Sequence, residues 1–189
     1  MWGLGNPGSV TNYREFGDCP AMELGYTLPL QKQLKVELLP SKPPIAPFFC
    51  WAVHILTVQG RKAVLAMNRD TRYSSLLYGM RAADWVHLPG LVQNEIKAAI
   101  LREGLSEYEA VRYFTLSGPL KISTVRKSDL VTGLNWTMQT LLRHAPLLDE
   151  SRFSQPQVTC LMNGEGYYAP GFSKSGTPRE FFLAGFRCL

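Results

Sequence analysis

From Trp51 to Tyr78 the apolar positions follow a period of two. Trp51, Val53, Ile55 and Thr57 alternate with Ala52, His54, Leu56 and Val58. Both sets are largely apolar, which predicts a strand in the interior of a sheet rather than one with a wet face. Gln59-Gly60 is a turn signal. Lys62–Asn68 then returns as a second strand, with Ala63, Leu65 and Met67 opposite Val64 and Ala66. The polar corner Asn68-Arg-Asp-Thr71 leads into a third strand, Ser74–Tyr78.

Around this block the period changes. Upstream, Met22–Tyr26 reads as a short strand. Thr27 is placed to cap a helix with Pro29 in its first turn, and Leu30, Leu34 and Leu38 share one face of it. Pro40, Pro43, Pro44 and Pro47 predict an extended connection. Downstream, Val92, Ile96, Ala99 and Ile100 form one stripe of a helix with Gly104 at its C-terminal cap. Ser106 and Glu109 have capping-box spacing and open another short helix through Phe114. Gly118-Pro119 breaks it, and Leu120–Val125 reads as a strand. Ser128 or Asp129 then starts a helix carrying Leu130, Leu134, Met138, Leu141 and Leu142.

After Leu147 no period is visible. Residues 149–189 scatter Phe153, Tyr167, Tyr168, Phe172, Phe181, Phe182 and Phe186 among Gly, Ser and Pro. The pattern as a whole predicts an α+β fold, a small and mostly antiparallel sheet with helices packed on one face. The expected organisation is a poorly ordered extension over 1–21, the α+β domain over 22–145, and an aromatic- and Gly-rich tail over 146–189.

Composition narrows the classes. Of 189 residues 46% are hydrophobic and 19% charged, which is enough apolar surface for a core and excludes global disorder. The net charge of +5 is compatible with nucleic acid or another anion as partner. The 4 cysteines form no CxxC pair and no zinc-type cluster with histidine, so reduced thiols in a cytoplasmic protein are expected. No basic segment followed by an apolar run marks a secretory signal, and Ile45–Leu56 is too short to span a bilayer. No membrane role is expected.

Several blocks, in order and with regular gaps, carry a resemblance. Met22–Leu34, Trp51-Ala-Val-His54, Arg61-Lys62, Asn68, Thr71, Tyr73 and Leu77-Tyr78-Gly79 are followed by Lys121-Ile-Ser-Thr-Val-Arg-Lys-Ser128 and Leu134-Asn135. Over about residues 22–145 this resembles a bacterial family described only as a domain of unknown function. The resemblance implies an N-terminal start at Met22. It implies no activity, cofactor or partner.

A second likeness is shorter. Gly3-Leu-Gly-Asn-Pro-Gly8 looks like the opening of bacterial peptidyl-tRNA hydrolase. In that family the turn follows a buried strand, and a catalytic histidine comes about a dozen residues later. Here only Met1-Trp2 precedes the motif, and Tyr13-Arg-Glu-Phe-Gly17 holds no histidine. A hydrolase that needs an imidazole base lacks one at that position.

Two segments are candidate anion sites. Lys121, Ser123, Thr124, Arg126, Lys127 and Ser128 set cations and hydroxyls before a helix start, whose free N–H groups and positive dipole end suit phosphate. Capping by Ser128 uses the same geometry, so the two readings stay open. Asn68, Thr71 and Tyr73 could present hydrogen-bonding groups at a sheet end beside Arg69 and Arg72. Asn and Asp also close turns on their own backbone. His54, in an apolar strand, is expected as a satisfied core residue. His144 fits the C-terminal dipole of a helix. Glu103, Glu107 and Glu109 form a third polar group, Glu109 already having a capping role.

No catalytic residue, metal site or cofactor is expected. The function class that follows is a non-enzymatic binding module for a phosphate-bearing ligand or nucleic acid. A protein-interaction module of a small bacterial system is the second expectation, and a peptidyl-tRNA hydrolase-like enzyme the third.

Overall fold

The structure is a computed structural model that describes residues 21–41, 46–125, 128–168 and 172–189. Its centre is a 5-stranded sheet built from β1 (Met22–Tyr26), β2 (Cys50–Val58), β3 (Arg61–Asn68), β4 (Ser74–Tyr78) and β5 (Leu120–Thr124), in the order β4-β3-β2-β1-β5. β2, β3 and β4 are consecutive antiparallel strands. β1 lies between β2 and β5 and runs parallel to both, so the sheet is mixed. The β2–β3 turn is made by Gln59 and Gly60 at φ 49° and 76°. Two consecutive residues of positive φ give the backbone twist a tight hairpin needs.

Helices cover both faces of this sheet. Trp51, Val53 and Ile55 of β2 enter one apolar cluster with Leu30 of α1 (Leu28–Leu34), Ile96 of α2 (Leu88–Arg102), Tyr113 of α3 (Glu107–Ser117) and Phe182 of α6 (Pro178–Arg187). Ala52, Leu65 and Leu76 point the other way. They meet Leu134 and Leu141 of α4 (Ser128–His144) and Val158 of α5 (Pro156–Gly164). The α+β class is therefore as expected, and the single helical face is not. A strand that is apolar on both faces, as β2 is, leaves neither face to water without loss.

The segment expected as a tail holds α5 and α6. α6 opens on a capping box. The Thr177 hydroxyl accepts from the Glu180 N–H at 3.2 Å, and the Glu180 carboxylate accepts from the Thr177 N–H at 2.8 Å. Its Phe182 and Phe186 complete an aromatic group with Phe48, Trp51, Tyr73 and Tyr113; the rings of Tyr73 and Phe182 stack at 4.2 Å. Close approach sets one residue here. A Cβ on Gly185 would lie 2.3 Å from Cε2 of Phe48. The N-terminal extension expected over 1–21 lies, apart from Ala21, outside the described residues.

α1 is shorter than its leucine spacing predicts. It ends at Leu34, and Lys35 turns left-handed at φ 55°. The Gln31 side chain holds the exit by accepting from the Leu38 N–H at 3.1 Å, so Leu38 lies past the helix. Thr27 does precede the helix, but its hydroxyl pairs with His54 Nδ1 at 2.9 Å instead of capping.

Candidate functional site

The Asn68 corner is built inward. Asn68 is fully buried, and its Oδ1 accepts from the N–H groups of Asp70 and Thr71 and from the Thr71 hydroxyl at 3.0–3.1 Å. Its Nδ2 donates to the Phe48 carbonyl at 2.8 Å. These bonds are the Asx-type closure of a turn. Thr71 is buried and also accepts from the Tyr73 N–H. Tyr73 is buried and donates to Glu103 Oε1 at 2.7 Å, while Arg179 holds the other Glu103 oxygen at 2.5 Å. Burial and the Glu103 charge push the Tyr73 phenol well above its ordinary value. Arg72 sits over the Phe172 ring and donates to the Arg69 carbonyl.

The basic segment is divided. Lys121 is exposed on β5. Ser123 is buried and donates to the buried Glu23 carboxylate, and Thr124 is buried and accepts from Gln31 Nε2 at 2.7 Å. Arg126 and Lys127, and the side chain of Ser128, lie outside the described residues, although α4 does begin at Ser128. The two candidate segments leave the sheet at opposite ends. β3 runs against β2, and β5 runs with β1 and β2, so the chain exits at Asn68 on one end and beyond Thr124 on the other, with β2 and β1 between.

Other polar groups are engaged structurally. His144 Nε2 and Arg143 Nη2 each meet a Glu165 oxygen at 2.5 Å, tying α4 to the end of α5. Partial burial works against the charge on Glu165, but these bonds prevail and hold its carboxyl below the usual range. Ser106 and Glu109 form the expected capping box. Cys50 is a buried thiol raised first by burial and then by the Glu23 charge, which suppresses the reactive thiolate. Cys160 and Cys188 are free thiols. Among the described residues no group of three His, Cys, Asp or Glu could hold a metal, and no helix is long and apolar enough to cross a membrane.

Two open concave surfaces flank α1. On one side of the helix an open groove of about 490 Å³ is lined by Lys32, Gln33, Ile55, Thr57 and Lys62. On the other, an apolar groove of about 440 Å³ is lined by Tyr26, Leu34, Val36, Trp85, Val86 and Ile122, and Gln33 borders it as well. Tyr26 is 3% exposed, and its hydroxyl has no hydrogen-bond partner among the described residues. Burial raises that phenol to about 12, so it stays a donor at neutral pH. Lys32 and Lys62 are exposed and have no acidic partner among the described residues.

The sequence contains no local sign of this pair. Lys32 sits in a short helix and Lys62 at a hairpin, and only the packing of α1 on β2 brings them to one groove.

The mixed sheet with both faces covered places the chain among α+β domains. Residues 23–181 match the model of a family described as a domain of unknown function (DUF6933), and the chain belongs to that family. The match reaches into α6, which agrees with the packing of the C-terminal helices, and it begins beyond Gly3–Gly8. No curated protein and no solved structure matches the chain.

Proposed function

We propose that the chain is a non-enzymatic binding module for an anionic ligand. The observation that carries this reading is the open groove beside α1, where Lys32 and Lys62 stand without acidic partners among the described residues. Two ammonium groups on one concave surface attract a carboxylate or phosphate, and the wall keeps part of the field from bulk water. The basic segment of Lys121, Ser123, Thr124, Arg126, Lys127 and Ser128 is a separate proposed anion site. There, exposed Lys121 is the cation that supports it, while Ser123 and Thr124 are committed to Glu23 and Gln31. Asn68, Thr71 and Tyr73 act in this reading as the frame of a turn.

A protein-interaction module would be favoured by an exposed apolar patch on a sheet face without helices, whereas both faces of this sheet carry helices. Nucleic acid stays within the anionic class. The test is a salt-titrated binding assay with labelled single-stranded RNA and DNA and with inorganic phosphate. It compares the wild type with a Lys32→Ala/Lys62→Ala variant and an Arg126→Ala/Lys127→Ala variant. Binding that weakens as salt rises and is lost in the first variant supports the groove. Loss only in the second moves the site to the β5–α4 segment. Binding indifferent to salt and to both variants removes the anionic reading.

A further inference from the structure

We draw no further inference here: the strongest candidate, the open apolar groove beside α1 lined by Leu34, Val36, Trp85, Val86 and Ile122, is an exposed face and nothing in the structure shows what covers it.

Discussion

The indole Nε1 of Trp51 donates to the hydroxyl of Tyr113 at 2.9 Å, and that hydroxyl donates in turn to the Phe48 carbonyl at 2.8 Å. Strand β2 is thereby bonded side chain to side chain to α3 in the interior of the aromatic cluster. Tyr113→Phe keeps the ring and removes the link, leaving the Trp51 N–H without an acceptor in a dry site. The expected loss is about 1–3 kcal/mol in a urea unfolding curve. An unchanged midpoint would show that the hydroxyl is dispensable.

Asn68 holds the β3–β4 corner through both ends of its amide. Asn68→Ala removes the acceptor of Asp70, Thr71 and the Thr71 hydroxyl together, and costs about 3 kcal/mol as buried groups go unpaired. Because no part of Asn68 is exposed, the variant should bind anions as the wild type does at temperatures where it is folded. A selective loss of anion binding with stability intact would instead make Asn68 a ligand contact.

The C-terminal helix contributes core. Phe182→Ala empties a fully buried position that stacks on Tyr73, at a cost of about 3–5 kcal/mol. Gly185→Ala forces a methyl group toward the Phe48 ring and costs about 1–3 kcal/mol. Thermal melts of the two variants test this directly. Wild-type melting in both would mean that α6 is a detachable tail.

Burial lowers the His54 imidazole below its ordinary value of 6.5. The unfolded chain then takes up this proton at a higher pH than the folded one does. Stability is therefore full above 6.5 and declines as pH falls through 6.5 toward the folded pKa. Melting temperatures of the wild type and His54→Gln, measured between pH 8 and 5, check the sign. The variant should show a smaller drop on acidification, and an equal or larger drop would contradict the assignment.

The parts of the fold that could be read from the chain were those fixed by neighbours in sequence. The alternation in β2 and β3, the Gln59-Gly60 turn and the Ser106–Glu109 box each carry their own geometry within a few residues. The parallel pairing of β1 with β2 and β5 depends on residues far along the chain and leaves no local period. The second helical layer was written into β2, whose two apolar faces both demand cover. α6 also had a legible start, since Thr177 and Glu180 have the spacing of Ser106 and Glu109, but its aromatic stripe is interrupted by Gly185. For the candidate site, residue type was a poor guide. Asn68, Thr71, Ser123 and Thr124 have the chemistry of ligand contacts and are spent on internal bonds. Lys32 and Lys62 look like ordinary solvated lysines until α1 packs beside the hairpin.

The position of β1 between two parallel neighbours also sets an order of assembly. β2, β3 and β4 are adjacent hairpins whose pairing closes short loops, so they are able to form early. A growing chain carries Met22–Tyr26 unpaired until Cys50–Val58 has emerged, and without its second neighbour until Leu120–Thr124 has followed. Trp51 waits longer still for Phe182 to close over it. The sheet therefore grows from its β4 side toward β1 and β5, against the order in which β1 and β2 are synthesised. In pulsed hydrogen exchange the Val64 and Leu65 amides should gain protection before that of Leu24. The first of the described strands to be made is then among the last to be fixed.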